Sequence, residues 1–100
     1  MDKLWKANER AIARMLGGKR VIEKGLNMED ITHPVFSIEA KSRKFIPKWL
    51  LEAMAQSAAN APSGKVPIVV VHQVGEPHVE DLVMIRLGDF AALVAQIGIE

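Results

Sequence analysis

The sequence predicts an α/β protein in which helices flank a mixed β-sheet. Three observations predict it. Residues 2–16 carry apolar side chains at helical spacing. Residues Val35 to Lys41 alternate apolar and polar, as a half-buried strand does. Ile68-Val69-Val70-Val71 is a short β-branched run of the kind found in a buried strand. Helical and extended segments follow one another in the order helix, short strand, hairpin, helix, strand, strand, helix. Helices packed on a mixed sheet satisfy that order, and 100 residues with 49% hydrophobic content suit one domain over 1–100.

Along the first helix, Leu4, Trp5, Ala11, Ile12, Met15 and Leu16 form the apolar stripe. Gly17-Gly18 ends it, because glycine accepts the left-handed conformation at a helix C-terminus. Asn8 falls within the stripe and needs hydrogen-bond partners if buried. Glu9 falls at its edge, beside Trp5 and Leu16. By type and spacing it reads as a boundary glutamate paired with Lys6. Lys19 and Arg20 follow the glycines. They suit phosphate contacts, and equally a solvated basic turn. Val21-Ile22 reads as the short strand, and Gly25-Leu26-Asn27 as a loop leading to Asp30.

Met28 to Thr32 and Val35 to Lys41 read as the two arms of a hairpin. On the second arm Phe36, Ile38 and Ala40 share one face, and Ser37, Glu39 and Lys41 the other. Glu39 and Lys41 then lie roughly 7 Å apart along the strand. A hairpin centred between Pro34 and Val35 sets Asp30 opposite Glu39. Their Cβ atoms would be about 4.5–5.5 Å apart, and like charges so placed need an offsetting partner such as a divalent cation. Taken alone, a Glu-x-Lys triplet is a solvated strand face with an ion pair worth about 0–1 kcal/mol.

Pro47 suits the first turn of a helix that runs from Lys48 to about Ala59. Trp49, Leu50, Ala53, Met54 and Ala58 give it a broad apolar face, and Gln56 lies on its Trp49 edge. Asn60-Ala61-Pro62-Ser63-Gly64 ends it. A strand from Ile68 to Val74 follows, buried on both faces. Gly75-Glu76-Pro77 makes a turn, and Leu82 to Leu87 is the next strand. Asp89 caps a last helix from Phe90 to Ile97. His33, His72 and His78 lack metal-ligand spacing and read as structural or surface residues.

Asp30, then Glu39-Ala40-Lys41 closing an apolar strand, then Ser42-Arg43-Lys44, resembles the core of the PD-(D/E)XK nuclease superfamily. The likeness is nearest to its Holliday-junction-resolvase-like branch and to small phage-type endonucleases, and it extends from the first helix to the last strand. Glu29 stands where the family name has proline. The resemblance implies a restriction-endonuclease-like fold. It implies Mg²⁺, or Mn²⁺, held by Asp30, Glu39 and the main-chain carbonyl of Ala40, with Glu9 as a further ligand from the first helix. It makes Lys41 the catalytic lysine and puts Gln56 near the active site. Arg43, Lys44, Lys19 and Arg20 would hold DNA, branched DNA by preference, with a homodimer placing two sites on opposed strands.

Composition bounds these expectations. Thirteen basic and twelve acidic residues give +1, so whole-molecule charge does not announce a nucleic-acid partner. There is no cysteine, which excludes disulfides and thiolate metal sites. Met1 to Trp5 does not read as a signal peptide, and no apolar run approaches the roughly 20 residues that span a bilayer. The expectation is a cytoplasmic or phage-encoded intracellular protein. Two functions stand: a metal-dependent DNA endonuclease, and a non-catalytic nucleic-acid-binding module on the same fold.

Overall fold

The computed structural model describes residues 4–22 and 28–98. It is a small mixed α/β protein with three α-helices and two small antiparallel sheets among the described residues. The chain divides into two compact units, one up to Lys44 together with the chain from Ala91, the other Phe45–Phe90. The expected helical residues 2–3 and the expected loop Gly25-Leu26-Asn27 lie outside the described residues.

In the first unit, α1 spans Leu4–Leu16. Its buried side chains are Glu9, Ala13 and Leu16, spaced i, i+4, i+7 and so on one helical face. The buried face is thus narrower than the apolar stripe, and Leu4, Trp5 and Met15 are exposed. Asn8 is not buried either; its amide donates to the Ser42 hydroxyl. Gly17 has φ 76° and the Gly18 N–H bonds the Ala13 carbonyl at 2.9 Å. That bond runs from the second residue past the helix to the carbonyl four positions into its last turn, the Schellman closure that the glycine pair predicts.

Strand β1 is Lys19–Arg20, two residues earlier than Val21-Ile22. Strand β2 is Ile31–Thr32 and β3 is Ser37–Ile38. They form an antiparallel sheet in the order β1-β2-β3, with Lys19 paired to Thr32 and Ile31 to Ile38. Ile31, on the middle strand, is fully buried and anchors this unit's core. The turn at Pro34 is held by His33, whose Nδ1 accepts the Val35 and Phe36 N–H groups.

In the second unit, α2 spans Lys48–Asn60 and buries Met54. Strands β4 (Val69–Val71) and β5 (Leu82–Met84) pair antiparallel, Val70 opposite Val83. Ser57 on α2 donates its hydroxyl to the Ile68 carbonyl at 2.9 Å, fixing the helix to the start of β4. β4 is not buried on both faces: Val70 and Val83 are exposed, while Val69, Val71 and Met84 are half-buried. A β-branched apolar run looks the same in a hairpin with one covered face as in a central strand. The expected mixed sheet is likewise replaced by two separate antiparallel ones. The last helix, α3, spans Leu87–Ile97, and the Phe90 N–H already bonds the Arg86 carbonyl at 3.0 Å. Asp89 therefore lies in the first turn rather than capping it; a carboxylate there still meets the positive end of the helix. Among the described residues, no helix is long and apolar enough to cross a membrane.

Candidate functional site

The residues singled out by the sequence fall around the β2–β3 hairpin and the face of α1 in the first unit. The ladder pairs Ile31 with Ile38 and Thr32 with Ser37. This is the pairing that a hairpin centred between Pro34 and Val35 requires, and it ends before Asp30 and Glu39. The expected alternation is present too: Phe36, Ile38 and Ala40 are half-buried, and Ser37, Glu39 and Lys41 exposed.

Regular pairing stops short of the acidic residues, so β3 is shorter than Val35 to Lys41. Asp30 is the cause. Its N–H bonds the Ile38 carbonyl at 3.0 Å, one residue off the register. Its carboxylate Oδ2 accepts the Ala40 N–H at 2.9 Å. A side chain thereby satisfies an amide that a longer ladder would give to a backbone carbonyl. Asp30 also clamps the chain on both sides, because its own carbonyl accepts the Val21 N–H at 2.9 Å. Glu29, beside it, accepts the Ser37 hydroxyl at 2.8 Å.

Glu9 is 4% exposed, well inside the molecule rather than at a boundary. Its Oε1 lies 2.7 Å from Arg20 Nε, a hydrogen-bonded ion pair linking α1 to β1. Lys6 is not its partner in that pair; the Lys6 ammonium lies 5.5 Å from the Trp5 ring centroid, and the Arg20 guanidinium carbon lies 5.6 Å from it. Carboxylate and aromatic face together hold Arg20 in place. Lys19, Lys41, Arg43 and Lys44 are exposed. The Arg43 guanidinium donates to the Ser42 carbonyl at 2.9 Å. Gln56 is exposed on α2, within the second unit.

Glu9, Asp30 and Glu39 do not converge as a three-ligand group. Among the described residues the group that does is His72, His78 and Asp81, whose ligand atoms lie within 4.8 Å of one another. Spacing gave no hint of it, since the two histidines are in no helical or Cys/His pattern. The signal that could have found it is the β4–β5 hairpin: once its turn is placed, His72 faces Asp81 across the two strands. His33 is buried; its Nδ1 accepts two backbone N–H groups, and its Nε2 has no protein partner. Compared with protein-family models, curated proteins and solved structures, the chain matches none.

Proposed function

We propose that the chain is a metal-dependent DNA endonuclease of the PD-(D/E)XK kind, with a restriction-endonuclease-like arrangement of helices and strands. It would hydrolyse phosphodiester bonds, by preference in branched DNA such as four-way junctions. It would act as a homodimer in the cytoplasm, as a cellular or phage-encoded protein. One observation supports the reading: β2 and β3 pair Ile31 with Ile38 and Thr32 with Ser37, and Asp30 and Glu39 are the next residues on the two arms, where regular pairing ends.

Asp30, Glu39 and the Ala40 carbonyl would together offer an all-oxygen donor set, two carboxylates and one main-chain carbonyl. Hard cations of the Mg²⁺ and Mn²⁺ type prefer such sets, so the residues fit the metal. Bound there, the ion would lower the pKa of a coordinated water and offset charge on the phosphoryl oxygens. Lys41, exposed like Glu39 two residues before it, would orient the attacking water and stabilise charge that develops in the transition state. Arg43, Lys44 and Lys19 are exposed and suited to phosphate contacts. Arg20 is committed to Glu9 Oε1, so Glu9 would share its carboxylate between that arginine and a metal.

That commitment favours the second reading, a nucleic-acid-binding module without catalysis. In it the Glu9–Arg20 pair and the Asp30–Ala40 bond are structural clamps. Incubating labelled linear, flapped and four-way DNA with the protein in Mg²⁺, Mn²⁺ or EDTA separates the two. Metal-dependent cleavage that disappears in a folded Asp30→Asn variant supports the endonuclease. Asparagine keeps an oxygen that can accept the Ala40 N–H, so the hairpin survives the change. Binding without cleavage in either metal selects the module, and undiminished cleavage by Asp30→Asn removes the proposed site.

A further inference from the structure

We infer that His72, His78 and Asp81 form a binding site for a first-row transition metal ion of the Zn²⁺ type. The site is independent of the acidic residues of the β2–β3 hairpin. Backbone geometry assembles it. The β4–β5 register pairs Val71 with Leu82, and its next step sets His72 opposite Asp81. Between them Gly75, at φ 93°, turns the chain, and the Glu76 N–H bonds the Gln73 carbonyl at 3.1 Å. Then His78–Glu80 form one 3₁₀ turn, closed by the Asp81 N–H on the His78 carbonyl at 3.0 Å. Side chains at i and i+3 eclipse in that geometry, so His78 is laid over Asp81 and beside the His72 ring.

The three side chains meet closely. Asp81 Oδ1 lies 2.7 Å from His72 Nδ1, and Oδ2 lies 3.0 Å from His78 Nδ1. The two imidazoles stack with centroids 4.2 Å apart. The Asp81 side chain is 11% exposed, so its position is set by packing, whereas that of His78 is 83% exposed and can turn freely. In a tetrahedral zinc site with bonds near 2.0–2.1 Å, neighbouring ligand atoms sit about 3.3 Å apart. One ligand atom from each of the three residues already lies within 4.8 Å of the others, so rotation of the exposed His78 ring and small shifts of the rest suffice to admit the ion. On binding, each neutral imidazole offers its Nδ1 lone pair and carries its proton on Nε2 instead; the carboxylate binds ionised. Two imidazoles and one carboxylate select Zn²⁺, Cu²⁺ or Ni²⁺ over Mg²⁺ and Ca²⁺, which prefer oxygen alone. Three protein ligands leave a position for water.

The test is Zn²⁺ titration of the full chain by calorimetry, with imidazole resonances followed by NMR. One equivalent should bind at micromolar concentration, moving the His72 and His78 resonances and leaving those of His33. His78→Gln, at an exposed side chain, keeps the fold by circular dichroism and should weaken binding by roughly tenfold or more, the scale on which changes around metal ligands act; His72→Gln should do the same. Asp30→Asn should leave the titration unchanged, which separates this site from the proposed nuclease site. No binding, or binding undiminished in both His72→Gln and His78→Gln, would overturn the inference.

Discussion

Lys41 and Arg43 lie two residues apart, yet their proposed roles differ. Lys41 follows Glu39 by two residues and is exposed like it; Arg43 and Lys44 come after it, beyond the acidic pair. An interaction made only in the transition state lowers the catalytic constant without weakening ground-state binding. Lys41→Ala should therefore lower the single-turnover cleavage rate far more than DNA affinity. Arg43→Ala and Lys44→Ala should weaken binding and flatten its salt dependence by about one unit of slope per lost phosphate contact. Equal loss of rate and affinity in Lys41→Ala would make that lysine a phosphate anchor. Glu9 calls for a different measurement. Its side chain and that of Arg20 are 5% and 15% exposed, so removing one leaves a charge inside the protein. Glu9→Ala should cost about 3 kcal/mol in urea unfolding, while Glu9→Ala with Arg20→Met should cost less than the two single changes summed. Strict additivity would mean the pair carries no coupling. The residue types at these positions were legible in the sequence. Glu9's partner was not, because Lys6 is near in the chain and Arg20 is near only after α1 turns into β1.

At the scale of elements, the α1–β1 junction lies close against β2. A Cβ at Gly18 would lie 2.7 Å from the Thr32 carbonyl oxygen and 2.9 Å from Ile31 Cγ2. The first of these is backbone and the second belongs to a fully buried side chain, so neither can move aside cheaply. Gly18→Ala should destabilise the protein by about 1–3 kcal/mol, the usual cost of overpacking, seen as a lower urea midpoint at unchanged slope. Gly88→Ala, where nothing lies within 4 Å, is the control and should leave stability the same or higher. Gly17-Gly18 was readable as a helix end from its type alone; that Gly18 also lets β2 approach closely was not, since this depends on which strand lands against it. The short β3 has the same origin. Alternation over Val35 to Lys41 was correct, but Asp30's carboxylate takes the Ala40 N–H and ends the ladder early.

For the whole molecule, the notable property is apolar surface left in water. Phe45 and Trp49 are 79% and 58% exposed, and Ile46 between them is exposed as well, where the chain enters α2. Within the same unit, Ile46, Leu50, Leu51 and Met54 line a groove of ≈ 380 Å³ with Val83 to Arg86. Clustered apolar side chains on a soluble surface mark interaction sites, and a second copy of the chain is the occupant that the proposed paired cleavage calls for. Light scattering at micromolar concentration should give a homodimer, and Trp49→Glu should shift it to monomer. A wild-type monomer would count against both the dimer and cleavage of two opposed strands.

The sequence by itself determined the order of elements, the helix end at the two glycines, the hairpin centre that pairs Ile31 with Ile38, and the alternating faces of the second arm. Each follows from neighbours in the chain: periodicity, the conformational freedom of glycine, and the pleat. Tertiary structure decided the rest. It sorted the strands into two antiparallel sheets, left one face of the β4–β5 hairpin exposed, gave Glu9 to Arg20, and brought His72, His78 and Asp81 together. These outcomes depend on which surfaces meet after the turns are made. A polar or charged residue's partner is then set by proximity in space, where spacing along the chain carries no information.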